Sequence, residues 1–236
     1  MIIGRRSKLG AMPPDAGSPP GLPDGGSLPA AGSPLALPVG ALPVGALATT
    51  VLAAARRHEH PAVFNHSVRT YLHAGRIAVQ RGLGAGTDYD PELLFYACAL
   101  HDIGTADAYD GPSRFEVEGA DAAATLLTGA GVDASGVDQV WEAIALHTSP
   151  QIAERRGPVT MLTRLGVLRD FGDPALDRHE LRPVIERHYP RLDVERELKS
   201  LVVGQALRRP EKAPKSSWPS VLLRSHLGEP PDPNEF

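Results

Sequence analysis

The chain has 236 residues, 42% hydrophobic and 22% charged, which is enough to bury one sizeable core with length left over. Its 24 basic and 28 acidic residues exclude a broad electrostatic case for nucleic acid or an anionic membrane surface as partner. The one cysteine, Cys98, excludes an intrachain disulfide and, set in an apolar run, reads as a reduced, buried thiol suited to the cytosol.

Residues 1–46 are rich in Gly, Pro, Ala and Ser, with a short tandem ALPVG ALPVG over residues 36–45. Such a segment buries too little surface to offset its ordering entropy, so a disordered tail is expected. The apolar run 35–55 is broken by Pro38 and Pro43 and does not read as a membrane span. The start MIIGRRSK lacks the compact apolar stretch of an export signal, so a cytoplasmic protein is expected.

Order is expected from about residue 49, with a short helix over 49–57, a turn over 58–62 and a helix over 63–81. Asp90 and Pro91 mark the start of another helix. A loop over 105–114 precedes an Ala-rich helix over 118–128, and Ser135 is the expected cap of a helix over 137–147. Gly157–Pro158 opens a helix to about residue 171, residues 181–187 add a turn or two, and Asp193 caps a last amphipathic helix reaching Ala206. Residues 210–236 read as a Pro-rich extension that wraps the surface or is loose. The basic group Arg208, Arg209, Lys212 and Lys215 around its start reads as solvated. No stretch has a persuasive period of two. The expectation is an all-α domain over 47–209, of about six to eight helices.

The chain is organised around residues 93–105, LLFYACALHDIGT. A helix that is apolar all round belongs in the middle of a fold. This one runs into His101 and Asp102, two side chains that are costly to bury, and Gly104 stands where a helix commonly stops on a left-handed residue. Three further polar residues sit in similar apolar contexts: His66 in PAVFNHSVRTY, His147 in IALHT and Asp170 in LGVLRDFG. Imidazole and carboxylate suit zinc, manganese, iron or cobalt, and three or four protein ligands leave room for a water of lowered pKa.

His66, the His101–Asp102 pair and Asp170 together resemble the H…HD…D pattern of the HD superfamily of metal-dependent phosphohydrolases. More narrowly, NHSVRTY, LHDIGT, RFEVEGADAA and EAIALHTSPQIAERRGP are similar to the cyanamide hydratase branch. One departure is Arg169, which precedes Asp170 in LGVLRDF where that branch has an apolar residue. The resemblance covers roughly residues 49–170. It implies an HD-type helical bundle, one divalent metal, zinc in the first place, held by His66, His101, Asp102 and Asp170, and addition of water to a small nitrile-like carbon.

Binuclear members of the superfamily carry two more histidines between the HD pair and the last Asp. Here His147 stands alone in that interval, which argues for one metal. His147 and Asp102 are therefore the candidate catalytic groups for proton transfer, and Asn65 and Glu116 the candidate substrate contacts. Each has a plainer reading. His147 could cap its own helix, His66 could be an interior histidine bonded to a carbonyl, and Asp170 could pair with Arg164 or Arg169. Glu116 and Glu118 could simply favour a helix N-terminus. His73 shares the face of His66 without a motif that calls for it, and His179 and His188 read as surface residues.

Three readings of function follow. In the first, water is added to a small nitrile-type carbon in a small, mostly apolar pocket with few cations. In the second, a phosphomonoester or nucleotide is hydrolysed, with Arg69, Arg114 and Arg164 as candidates to converge on the phosphate. The third is a binding module in which the metal shell is closed and no turnover occurs. The first two expect a small-molecule substrate, no nucleic acid and no membrane, and are compatible with a homo-oligomer.

Overall fold

A computed structural model describes residues 42–173, 175–176 and 181–230. Most of the tail expected to be disordered, together with His179, lies outside these. Among the described residues there are nine α-helices and no strand beyond one isolated bridge between Ala85 and Tyr89, so the all-α expectation holds. No helix among them is long and apolar enough to cross a membrane.

Helix α3 (Pro91–Leu100) is the axis of the core. Asp90 Oδ1 accepts hydrogen bonds from the N–H groups of Glu92 and Leu93 at 2.8 and 3.2 Å, and Pro91 presets the first turn. Every residue from Leu93 to Leu100 is 9% exposed or less, because α1 (Ala46–His58), α2 (Pro61–Gln80), α5 (Ala134–Leu146) and α6 (Pro158–Asp170) close round it. Each large side chain so buried contributes about 1.5–3 kcal/mol, which is why an eight-residue apolar run can dictate the centre of the fold. Cys98 is part of this packing: burial pushes its thiol up to about 12, and its Sγ lies 3.7 Å from Thr163 Oγ1.

Two glycines set how closely helices approach. A Cβ on Gly166 of α6 would lie 2.5 Å from the Thr70 carbonyl oxygen of α2, so these two helices pack nearly backbone to backbone. Gly104 is not a left-handed helix stop. It lies in a 3-10 turn, Ile103–Thr105, pressed against α4 (Phe115–Gly129), where a Cβ would overlap the Phe115 carbonyl and sit 2.6 Å from Gly119 N.

Several boundaries differ from expectation. Pro61 is the first residue of α2 instead of part of a turn, with His60 Nδ1 accepting from Ala62 N at 3.3 Å. The cap of α5 is Asp133, which accepts from Gly136 N at 2.8 Å, and not Ser135. After α7 (Arg182–His188), Asp193 precedes α8 (Val194–Arg208) in a left-handed conformation and makes no side-chain cap bond. His188 is exposed, as expected.

The Pro-rich extension is more structured than its composition implies. It contains α9 (Trp218–Leu227), opened by Ser217, which accepts from Ser220 N at 3.2 Å, and α9 packs on α8. Lys212 is not solvated. It is 2% exposed, with Nζ donating to the Gly111 carbonyl at 2.9 Å and standing 3.1 Å from Asp110 Oδ1, while Arg208 bonds Asp110 Oδ2 at 3.0 Å. The C-terminal part thereby clamps the loop that follows the HD pair. Gln205 Nε2 of α8 adds a bond to the Gly104 carbonyl at 3.0 Å. A small second apolar cluster, Val63, Phe115, Val194, Leu198 and Val202 with Trp218 and Leu222, joins α2, α4, α8 and α9.

Candidate metal centre

Two helices end on histidines in the same way. His101 follows α3 and its Nδ1–H donates to the Cys98 carbonyl at 2.8 Å; His147 follows α5 and its Nδ1–H donates to the Ile144 carbonyl at 2.7 Å. Each therefore caps its own helix and leaves Nε2 as a lone pair aimed elsewhere. His66, in the second turn of α2, donates Nδ1–H to Asp170 Oδ2 at 2.6 Å, which leaves its Nε2 in the same state. Capping and site chemistry are thus not rival readings of His147 but properties of its two nitrogens.

The freed atoms converge. His101 Nε2 is 3.2 Å from His66 Nε2 and 3.1 Å from Asp102 Oδ2, and His66 Nε2 is 3.7 Å from the same oxygen. His147 Nε2 approaches Asp102 Oδ1 at 3.5 Å. All four side chains are 3% exposed or less. Neither Asp102 oxygen has a hydrogen bond of good geometry, and its carboxyl lies well below its ordinary 3.8: burial opposes the charge, and His101 and His147 outweigh it when their Nε2 atoms carry a proton. Lone-pair nitrogens and a bare carboxylate facing one point repel each other unless a cation lies between them. His101 shows the same demand, since Asp102 raises its pKa above the ordinary 6.5 in spite of burial. His66 goes the other way, lowered by burial more than Asp170 raises it. The donor set of two imidazoles and a carboxylate fits a divalent ion, and His66, His101 and Asp102 are the group whose ligand atoms lie within 4.8 Å of one another among the described residues.

Asp170 is not brought to that point. It sits behind His66, on Nδ1, because a buried guanidinium holds it there: Arg69 Nε and Nη2 bond Oδ1 and Oδ2 at 2.7 and 2.8 Å. His73 Nε2 stands 3.4 Å from Oδ1, so the residue without a motif belongs to the same network. Arg69 also donates to the carbonyls of Tyr189 and Pro190 at 3.0 and 3.1 Å, and Arg191 to the Asp170 carbonyl at 2.9 Å. The carboxyl of Asp170 stays well below its ordinary 3.8, since Arg69 and His66 more than offset burial. In this arrangement Asp170 fixes the tautomer and angle of His66, the part a carboxylate commonly plays behind a metal-bound histidine.

A cavity of about 490 Å³ opens onto the cluster. His66, His101, Asp102 and His147 form its floor, and its walls are largely apolar, from Pro150, Val167, Leu168, Phe171, Leu198, Trp218 and Leu222. The apolar character matches expectation; the volume does not, being several times that of a small nitrile. Arg164 is the one expected cation that lines it, and its charge is engaged by Glu154 at 2.7 Å while Nη1 holds the His147 carbonyl at 2.8 Å. Lys199 lines the cavity as well, within 3.4 Å of Ser225 Oγ.

Neither expected substrate contact lines this space. Asn65 Nδ2 donates to the Pro190 carbonyl at 2.8 Å, tying α2 to the segment after α7. Glu116 is fully buried behind Thr148, whose hydroxyl donates to Glu116 Oε1 at 2.6 Å, and Arg114 pairs with the same oxygen at 2.6 Å. Thr148 is the lining residue, and Glu116 acts through it. Glu118 accepts from Ser113 N at 2.7 Å and serves the loop. Phe171, Leu198, Trp218 and Leu222 were not legible as site residues. For Trp218 and Leu222 the available signal was Ser217 followed by Pro219, a helix start hidden in a segment that composition marks as Pro-rich.

Residues 63–192 match the HD domain family, a span that takes in His66, His101, Asp102, His147 and Asp170 and stops short of α8 and α9. Comparison with curated proteins returns no match.

Proposed function

The chain belongs to the HD domain family, and from that premise we propose that it is a metal-dependent enzyme that adds water to an electrophilic carbon of an uncharged substrate, with nitrile-type carbon, as in cyanamide, the leading class. The observation that carries this reading is the pairing of a cation-seeking floor with an apolar wall whose arginine is already engaged by Glu154. His66 Nε2, His101 Nε2 and Asp102 Oδ2 would hold one divalent ion, zinc in the first place. Such an ion supplies Lewis acidity that brings the ionisation of water toward neutral pH.

The protein groups then have distinct tasks. Asp170 holds His66 in the tautomer that presents Nε2. His147 lines the cavity with Nε2 free, so it can take a proton from the attacking water and return it to the substrate nitrogen. Asp102 Oδ1, at 3.5 Å, stabilises the imidazolium in between. The apolar wall excludes bulk water and favours a neutral substrate.

A second reading, hydrolysis of a phosphomonoester, is favoured by one observation: both Arg164 and Lys199 line the cavity. Metal-loaded protein offered cyanamide and small nitriles in one set and nucleoside monophosphates in another separates the two. Urea or amide release that disappears in Asp102→Ala is the expected result; phosphate release would replace it with the second reading. A closed metal shell without turnover is disfavoured because the cavity reaches the cluster directly.

A further inference from the structure

The floor of the cavity comes from the family-matched part of the chain, whereas Leu198, Trp218 and Leu222 come from α8 and α9, beyond residue 192. This second part is built onto the first. Phe115 is buried between them, its ring 5.7 Å from that of His147 and 6.0 Å from that of Trp218. Phe171 also lines the cavity, its ring 4.6 Å from that of His66, and is 37% exposed. The electrophilic carbon of a substrate must reach the histidines, so whatever is attached to it lies between Phe171, Leu168 and Val167 of α6 and its C-cap, and Trp218, Leu222 and Leu198 of the C-terminal helices.

Size sharpens the point. A benzene ring fills an apolar cavity of about 150 Å³, while this one measures about 490 Å³. A three-heavy-atom nitrile would leave most of it to water held against apolar side chains. The ion pairs at the rim are closed: Arg164 is paired with Glu154 and Glu195 with Arg191, which leaves Lys199, 3.4 Å from Ser225 Oγ, as the one cation among the described residues of the lining to compete for an anion.

Building on the proposed water addition, we infer that the α8–α9 wall selects substrates in which the reacting carbon carries a bulky apolar group, an aryl or branched alkyl body, seated between Phe171 and Trp218. The C-terminal helices are then the specificity element, and a minimal nitrile is a poor substrate that reaches the floor without using the wall.

The chain has two tryptophans, and the other, Trp141, lies on α5 with its Nε1 bonded to Asp121, outside the cavity. Trp141→Phe therefore leaves Trp218 as the sole tryptophan reporter. We would titrate this protein, without added metal, with phenylacetonitrile, acetonitrile and phenyl phosphate and follow Trp218 emission. The inference predicts saturable change with phenylacetonitrile at concentrations at least about tenfold lower than with acetonitrile. In Trp218→Ala, by calorimetry, phenylacetonitrile should weaken by about tenfold, with Trp218→Phe restoring most of it and metal stoichiometry unchanged in both. Equal response to the phenyl and methyl nitriles would overturn it, as would phenyl phosphate binding more tightly than phenylacetonitrile. Because the readout is binding, it is separable from the chemistry. Aryl binding without turnover of any nitrile would sink the proposed reaction and leave the wall's selectivity standing. Turnover of cyanamide without aryl preference would do the reverse.

Discussion

The floor and the wall of the cavity are built on opposite principles. The histidines of the floor are each held from behind: His101 and His147 by carbonyls of their own helices, and His66 by Asp170, which Arg69 holds in turn, while Asp102 stands among them without a hydrogen-bond partner. The wall is made of side chains that merely meet, half-buried and without polar partners at Leu168, Trp218 and Leu222. Positioning to a few tenths of an ångström demands a network, and exclusion of water demands only area. Chemistry and selectivity should therefore fail independently, and substitutions in the two regions should have different signatures.

The largest effect is expected at the floor. Asp102→Ala removes a proposed metal ligand and the partner of His147, and should lower kcat/KM by about a thousandfold or more, equivalent to the several kcal/mol that a Lewis acid supplies. Binding of an apolar nitrile to the metal-free variant should change less than about threefold, a contrast that calorimetry can read. A floor mutation that abolished both would end the separation argued here.

Next is the support behind the floor. Asp170→Ala leaves the Arg69 guanidinium buried without its carboxylate, and loss of one partner of such a pair costs about 3–5 kcal/mol in urea unfolding. The pH dependence carries a sign. Asp170 titrates below its ordinary 3.8 in the fold, so its contribution is present above that pH and lost as pH falls through the depressed value. The gap between wild type and Asp170→Ala should therefore shrink on acidification. A constant gap would mean that the carboxylate charge is not what stabilises.

Smaller again is Gly166→Ala. The added methyl meets the Thr70 carbonyl and pushes α6 from α2, the two helices that carry Asp170 and His66. Overpacking of this kind costs about 1–3 kcal/mol, and it should weaken metal affinity as well, since it moves a ligand relative to its support. Stability lost with metal affinity intact would show that the floor tolerates more play than the distances imply.

The smallest effect concerns Glu59, buried at the end of α1, with Ser67 donating to its Oε2 at 3.2 Å. Burial first, and the charge of Asp102 second, raise its pKa well above the ordinary 4.5, so it is held as the neutral acid. Its folded form binds the proton more tightly than the unfolded chain. The stability it contributes is complete below about pH 4.5 and declines as pH rises through the raised value. Glu59→Gln should be close to wild type near pH 4.5 and progressively more stable than wild type on going alkaline, read by thermal melts across that range.

Much of the floor was legible in the sequence because helix periodicity and motif spacing report which residues share an apolar environment. Leu93 to Leu100 reads as a central helix, and although the HD pair that ends it could by itself have been a capping His beside a solvated Asp, both side chains are buried with it. What spacing does not contain is direction at the atomic level. Asp170 was found, but whether it meets His66 at Nε2 or Nδ1 depends on Arg69, 101 residues away, which takes the carboxylate bidentately. Asn65 and Glu116 looked like substrate contacts for the same reason, since Pro190 and Thr148, which occupy them, are distant in sequence. The wall was least legible. The helices α6 and α8 were expected, but α9 lies where proline content argues against order, and its half-buried apolar face becomes a cavity lining only once α8 has been placed.

We propose that His66, His101 and Asp102 hold one divalent ion while Asp170 supports His66 from behind. The most direct measurement is zinc titration of metal-free wild type, His101→Ala and Asp170→Asn by competition with a chromophoric chelator. Wild type should bind one equivalent, His101→Ala should lose stoichiometric binding, and Asp170→Asn should retain one equivalent with affinity weakened about 10–100-fold, as expected when a histidine's supporting carboxylate is removed. Stoichiometric zinc retained in His101→Ala, or none taken up by wild type, would contradict it.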